Sequence, residues 1–144
     1  MREAMGPRTD QPATVAGDAR SVVLVDRDRH VCHLVTLFLG RVGFEVELAE
    51  TGYLGLDRVR RLGRAIVITE VLVPGLDGLA LCRLIKADPA VRAGVIVLSM
   101  LSVVERAREA GADAFLLKPI DEERLIMTVN KVAATLSSES RSIS

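Results

Sequence analysis

A doubly wound α/β fold, with a five-stranded parallel sheet and five helices, is what this chain of 144 residues predicts. Three observations carry that expectation. Short apolar runs alternate strictly with amphipathic stretches. Ser21–Val25 is apolar at nearly every position and Ala65–Thr69 reads likewise, as strands covered by helices on both faces must. Capping and turn residues stand at the joints. Such alternation favours parallel strands joined by right-handed crossovers.

The elements follow in order. Residues 1–20 are rich in Gly, Pro, Ala, Thr and Asp, show no apolar period, and are read as a disordered N-terminal tail. Ser21–Val25 is a buried strand. Asp28 caps a helix whose apolar positions are Val31, Leu34, Val35, Phe38 and Leu39. Phe44–Leu48 is the second strand, and Thr51 caps a helix running to about Leu62. Ala65–Thr69 is the third strand. Pro74-Gly75-Leu76-Asp77-Gly78 is turn chemistry, followed by a helix over Leu79–Lys86. Val95–Leu98 is the fourth strand. Ser102-Val103-Val104-Glu105 fits a capping box opening a short helix to Ala110, with Gly111 at its C′ position. Ala114–Leu117 is the fifth strand. Asp121 caps a last helix with Leu125, Ile126, Val129, Val132, Ala133 and Leu136 on its apolar side. Residues 137–144, Ser-Ser-Glu-Ser-Arg-Ser-Ile-Ser, read as a disordered C-terminal tail. The single domain therefore spans 21–136.

Composition narrows the function. Hydrophobic residues make up 49% and aromatic residues 3%, so the core is aliphatic. Nineteen basic residues balance nineteen acidic ones, whereas nucleic-acid binders usually carry a basic excess. The densest basic run, Arg58, Arg60, Arg61 and Arg64, reads as a solvated helix face. No partner nucleic acid is expected. Cys32 and Cys82 sit in apolar helical patterns without metal-ligand spacing. They read as buried thiols in a reducing cytoplasm. No signal-peptide core and no membrane-length apolar run is present, so a cytoplasmic location without membrane attachment is expected. The tails are too short to hold an output domain.

In doubly wound sheets the site lies at the carboxyl ends of the strands. There the chain carries Asp26-Arg27-Asp28, then Thr69-Glu70 with its Pro-Gly-Leu-Asp-Gly turn, then Ser99. Last comes Gly111-Ala112-Asp113-Ala114-Phe115-Leu116-Leu117-Lys118-Pro119. These segments in this order resemble the receiver domains of two-component response regulators, from roughly Ser21 to Leu136. The resemblance implies a flavodoxin-like fold of receiver type and a signalling role in a phosphorelay. In that family two adjacent acids after strand one bind Mg²⁺. An aspartate ending strand three takes a phosphoryl group from a histidine kinase. A Ser or Thr and a Lys then hold the phosphoryl oxygens, and metal and Lys offset the charge that develops on them.

Carried over by position, Asp26 matches the first acid, Ser99 the hydroxyl, Lys118 the lysine and Phe115 the switch aromatic. The resemblance also implies a cis bond before Pro119. Two positions depart. Arg27 stands where the second acid belongs, and Glu70 stands where the phosphorylated aspartate belongs. Asp26, Glu70, Arg27 and Lys118 together are formally neutral, where the family's site is negative. A hard divalent cation needs oxygen ligands and negative charge, and a guanidinium supplies neither. Loss of the Mg²⁺ cofactor is therefore expected, with no catalytic residue and no enzyme activity.

The favoured expectation is an atypical receiver, a pseudo-receiver acting as a phosphorylation-independent signalling or protein-interaction module. The stretch between Ser99 and Lys118 is a few residues shorter than in typical members. Partner contact is expected through the short helix after strand four, strand five and the last helix; Met100, Leu101 and Val104 are read as packing against strands four and five, with partial exposure there as the alternative. Two alternatives remain: a working phospho-receiver using Mg²⁺, and a cofactor-binding domain on a similar scaffold. The second alternative rests on Asp28-Arg29-His30, which resembles the start of a cobalamin motif, but His33 stands where its glycine belongs. Within the site, a bidentate guanidinium–carboxylate pair is the strong contact. Glu70 is therefore expected on Arg27, with Ser99 unengaged and Phe115 outward. The competing arrangement puts Glu70 on Lys118 and Ser99 with Phe115 inward, as a partial imitation of a phosphoaspartate.

Overall fold

A computed structural model describes the backbone of residues 20–143 and the side chains as far as residue 137. Strands and helices alternate along the chain. They are β1 (Ser21–Val25), α1 (Arg29–Arg41), β2 (Glu45–Ala49), α2 (Gly52–Leu62) and β3 (Arg64–Thr69). There follow α3 (Gly78–Ala87), β4 (Arg92–Ser99), α4 (Val104–Glu109), β5 (Ala114–Leu117) and α5 (Glu122–Ile143). All strand pairs are parallel and the sheet order is β2-β1-β3-β4-β5. The chain winds outward from β1 in one direction, then returns past it through β3 to β5. The doubly wound expectation holds.

Each central strand feeds two cores because successive side chains face opposite sides. Val23, Val25, Val67, Val95 and Val97 pack under α2, α3 and α4 with Leu56, Val59, Leu81 and Ile85. Val22, Leu24, Ile66, Ile68, Ile96 and Leu98 pack under α1 and α5 with Val35, Leu39, Leu125 and Val129. Fully burying one such side chain contributes roughly 1.5–3 kcal/mol, so the two aliphatic layers dominate stability. Cys32 and Cys82 are buried and unpaired. Burial pushes the Cys82 thiol up to about 11.

The caps explain where the helices begin. Asp28 accepts from the amides of His30 and Val31. Thr51 accepts from Leu54, Asp77 from Leu79 and Ala80, and Asp121 from Arg124. After α4 the chain turns at Gly111, whose φ of 100° suits a residue without a Cβ. Asp113 then ties β5 to its neighbours: its Oδ2 accepts from Val95 N at 2.8 Å and from Lys86 Nζ at 2.7 Å.

Three sequence expectations need correction. The capping box does not form at Ser102. Val103 N–H bonds Leu101 O in a tight turn, so α4 starts at Val104 with Val103 as an N-cap that offers no side-chain acceptor. The C-terminal tail expected over 137–144 is helical as far as Ile143. Extending an existing helix needs no new nucleus, and serine lowers helix propensity only by tenths of a kcal/mol. Arg20, assigned to the N-terminal tail, belongs to the fold. Its carbonyl accepts from Glu45 N and its guanidinium stacks 4.9 Å from the Phe44 ring centroid. The rest of that tail lies outside the described residues. No helix among the described residues is long and apolar enough to cross a membrane.

Candidate functional site

Four strands deliver one polar side chain each to the carboxyl edge of the sheet. Asp26 follows β1, Glu70 follows β3, Ser99 ends β4 and Lys118 follows β5. Parallel pairing in register brings them together, since Val25 lies opposite Thr69 and Ser99 opposite Leu117. The Lys118–Pro119 peptide is cis, as expected.

Lys118 is the hub. Its ammonium lies 3.0 Å from Asp26 Oδ2 and 2.9 Å from Glu70 Oε1. The other Asp26 oxygen accepts from Asp28 N at 2.9 Å. The other Glu70 oxygen accepts from Val71 N at 2.6 Å, more weakly from Leu72 N at 3.4 Å, and from the Ser99 hydroxyl. Ser99 Oγ in turn accepts from Leu101 N at 3.1 Å. Asp26, Glu70 and Ser99 are all buried, Ser99 completely. An uncompensated buried charge costs several kcal/mol, and here every carboxylate oxygen has a donor.

The protonation states follow from this network. Burial alone would raise the Glu70 carboxyl. The donors Ser99, Lys118 and Val71 outweigh it and hold the group below its ordinary value. Burial alone would lower the Lys118 ammonium, but Glu70 and Asp26 together hold it above its ordinary value. Both groups are charged at neutral pH.

Glu70 is also fixed from behind. Its carbonyl accepts from Thr69 Oγ1 at 2.9 Å. A Cβ on Gly78 would come 2.2 Å from that carbonyl oxygen, so the first residue of α3 must be glycine for the loop to close against the site.

The expected Arg27–Glu70 pair does not form. Asp26 turns its carboxylate inward, and the next side chain along an extended chain points the other way. Arg27 is exposed at the rim, and its guanidinium makes no hydrogen bond or ion pair among the described residues. Lys118 and Ser99 take Glu70 instead, the arrangement weighed as the competitor. Phe115 is neither fully inward nor free: it is half-buried against the core under α2, α3 and α4. Asp28 serves as the α1 cap and does not replace the missing acid. His30 and His33 are both exposed on α1.

Asp26, Arg27, Asp28, Glu70, Leu72, Met100, Leu101 and Lys118 surround an open cleft of about 600 Å³. Leu72 is 70% exposed and Met100 74%. Sequence reasoning missed Leu72, the middle residue of Val71-Leu72-Val73, whose neighbours are buried. An apolar triplet just past a strand end signals a tight turn with one residue forced outward, and Val73 N–H does bond Val71 O at 3.1 Å. It also missed the Val71 and Leu72 amides as partners of Glu70.

Comparison with known proteins places this geometry. The family model described as response regulator receiver domain matches residues 22–130. The DNA-binding response regulator MtrA of Mycobacterium tuberculosis (strain ATCC 25618 / H37Rv) is 28% identical over 109 residues, which is 75% of this chain and 48% of MtrA. The transcriptional regulatory protein ZraR of Escherichia coli (strain K12) is 34% identical over 121 residues, 81% of this chain and 27% of ZraR. The chain thus spans half or less of the length of these relatives. The crystal structure of the signal receiver domain of a signal transduction histidine kinase from Syntrophus aciditrophicus superposes with a TM-score of 0.72. It is 31% identical and covers 81% of this chain and 92% of that one.

Proposed function

Because the chain belongs to the response regulator receiver family of two-component signalling, we propose that it is an atypical receiver, a cytoplasmic module that signals by protein contact without being phosphorylated. The observation that carries this reading is the state of Glu70. Its carboxylate already holds the Lys118 ammonium and the Ser99 hydroxyl, the groups that would receive phosphoryl oxygens on an aspartate. Glutamate reaches them because it is one methylene longer than aspartate.

Mg²⁺ does not fit this donor set. One Asp26 oxygen is committed to Lys118 and the other to a backbone amide, and both Glu70 oxygens are taken. Arg27 adds positive charge where a second acid would be needed. Among the described residues no group of three or more His, Cys, Asp or Glu could hold a metal ion. No metal-dependent step is therefore assigned.

A protein partner suits this domain better than nucleic acid. The arginine run on α2 is spent locally: Arg58 on Glu47, Arg60 on Asp88 and Arg61 on Asp57. The DNA-binding property in MtrA's description belongs to that protein, about half of which this chain matches. Exposed apolar residues Met100 and Leu101 in the loop after β4, Val104 at the start of α4 and Leu117 at the end of β5 support contact on this side of the domain.

The test is incubation with acetyl phosphate and Mg²⁺, followed by intact mass measurement. Wild type gains no phosphoryl group, and the double variant Arg27→Asp with Glu70→Asp gains one. Phosphorylation of wild type at any acid of the cleft would overturn this reading.

A further inference from the structure

We infer that the cleft mouth is a docking site for a partner segment carrying a carboxylate beside an aliphatic side chain. The inference rests on the module being phosphorylation-independent, since a docked side chain would occupy the route a phosphodonor needs.

The apolar part comes from two loops. Leu72 follows β3, while Met100 and Leu101 follow β4, and all three line the cleft. Leu72 and Met100 are the two most exposed large hydrophobic residues described, and Leu101 is 39% exposed. Apolar side chains gathered at one concave place mark interaction sites more often than scattered ones do. These are also held in place. The amide of Leu72 donates to Glu70 Oε2, and the amide of Leu101 donates to the Ser99 hydroxyl, which donates to the same Glu70 oxygen. One buried carboxylate therefore anchors both loops, and binding them costs little ordering entropy.

The charge part is Arg27. Asp26 and Glu70 are compensated by Lys118 and backbone amides, and Asp28 gives one carboxylate oxygen to two α1 amides at the helix N-terminus, whose dipole offsets part of its charge. Of the two cations lining the cleft, Lys118 is paired and the Arg27 guanidinium has no partner among the described residues. A guanidinium presents a planar fork matched to carboxylate oxygens. The complementary occupant is an acidic side chain flanked by Leu, Ile or Val. A cleft of about 600 Å³ has room for two side chains of a loop or peptide, and the apolar residues and Arg27 line the same cleft.

A displayed library of random peptides selected on the purified chain tests this. Enriched sequences should share an acid next to an aliphatic residue. A synthetic enriched peptide should shift the backbone amide signals of Arg27, Leu72, Met100 and Leu101. Its affinity should fall by about two- to fivefold in Arg27→Gln, the loss expected of an ion pair at an exposed rim. Replacing the peptide's acid by its amide should weaken binding to wild type and leave binding to Arg27→Gln unchanged. Absence of enrichment, a basic consensus, or peptides that bind Arg27→Gln equally well would each overturn the proposal. So would concentration-dependent shifts of the same amides without peptide, which would mean a second copy covers the cleft. These readouts involve no phosphoryl transfer, so the docking proposal can fail while the mass measurement above still supports a phosphorylation-independent module.

Discussion

The hydroxyl of Ser99 joins two loops through one carboxylate: it donates to Glu70 Oε2 and accepts from Leu101 N at 3.1 Å. Ser99 is completely buried, so water cannot replace either bond without rearrangement. In the relatives' family this hydroxyl is expected to meet a phosphate. In this chain its partner is built into the sequence.

Removing members of the network should have graded effects. Ser99→Ala leaves Leu101 N–H without its acceptor and Glu70 with one donor fewer, at a cost of about 1–2 kcal/mol. Glu70→Ala should cost more, about 3–5 kcal/mol, because it breaks a buried ionic network and strips both loops of their anchor. Urea unfolding of the purified variants measures both. Equal midpoints for wild type and Glu70→Ala would show that the network contributes nothing net.

The pH dependence has a definite sign. Glu70 is held below its ordinary value in the fold. Its contribution is therefore full above the unfolded value, about 4.3, and is lost as pH falls through the lower folded value. Lys118 is held above its ordinary value. Its contribution is full below about 10.4 and is lost as pH rises through the higher folded value. Denaturant midpoints for wild type and Glu70→Gln should therefore differ by a constant amount near neutrality. They should converge as the solution is acidified below about pH 4. A gap that stays constant down to the acid transition would contradict the assignment.

Two glycines with opposite surroundings give a paired prediction. At Gly40, inside α1, an added Cβ meets nothing within 4 Å, so Gly40→Ala should stabilise by about 0.5–1 kcal/mol through helix propensity. At Gly78 an added Cβ would come 2.2 Å from Glu70 O. Gly78→Ala should destabilise by about 1–3 kcal/mol and displace the carboxylate. Thermal unfolding checks both signs in one experiment.

The five strands and the caps at Asp28, Thr51 and Asp121 were legible because each depends on residues close in sequence. The meeting of Asp26, Glu70, Ser99 and Lys118 was legible too, since strand ends in a parallel sheet converge. What failed was reach. Arg27 adjoins Asp26 in the chain and is the stronger partner for a carboxylate, yet Glu70 binds Lys118. That choice depends on which way the backbone faces after β1 and on how close β5 brings a lysine from far along the sequence. Residue type carries neither fact. The C-terminal serines failed differently, because helix persistence depends on the turns already formed before them.

Lys118 compensates two acids that precede it by long stretches of chain. A ribosome releases Asp26 and Glu70 well before Lys118, and burying either acid alone is costly. The first three strands can pair as they emerge, but their carboxyl ends must stay hydrated until β5 arrives. Completion of the sheet's polar edge is therefore postponed until the last strand has been made, and a chain cut short before Lys118 would keep that edge open to water.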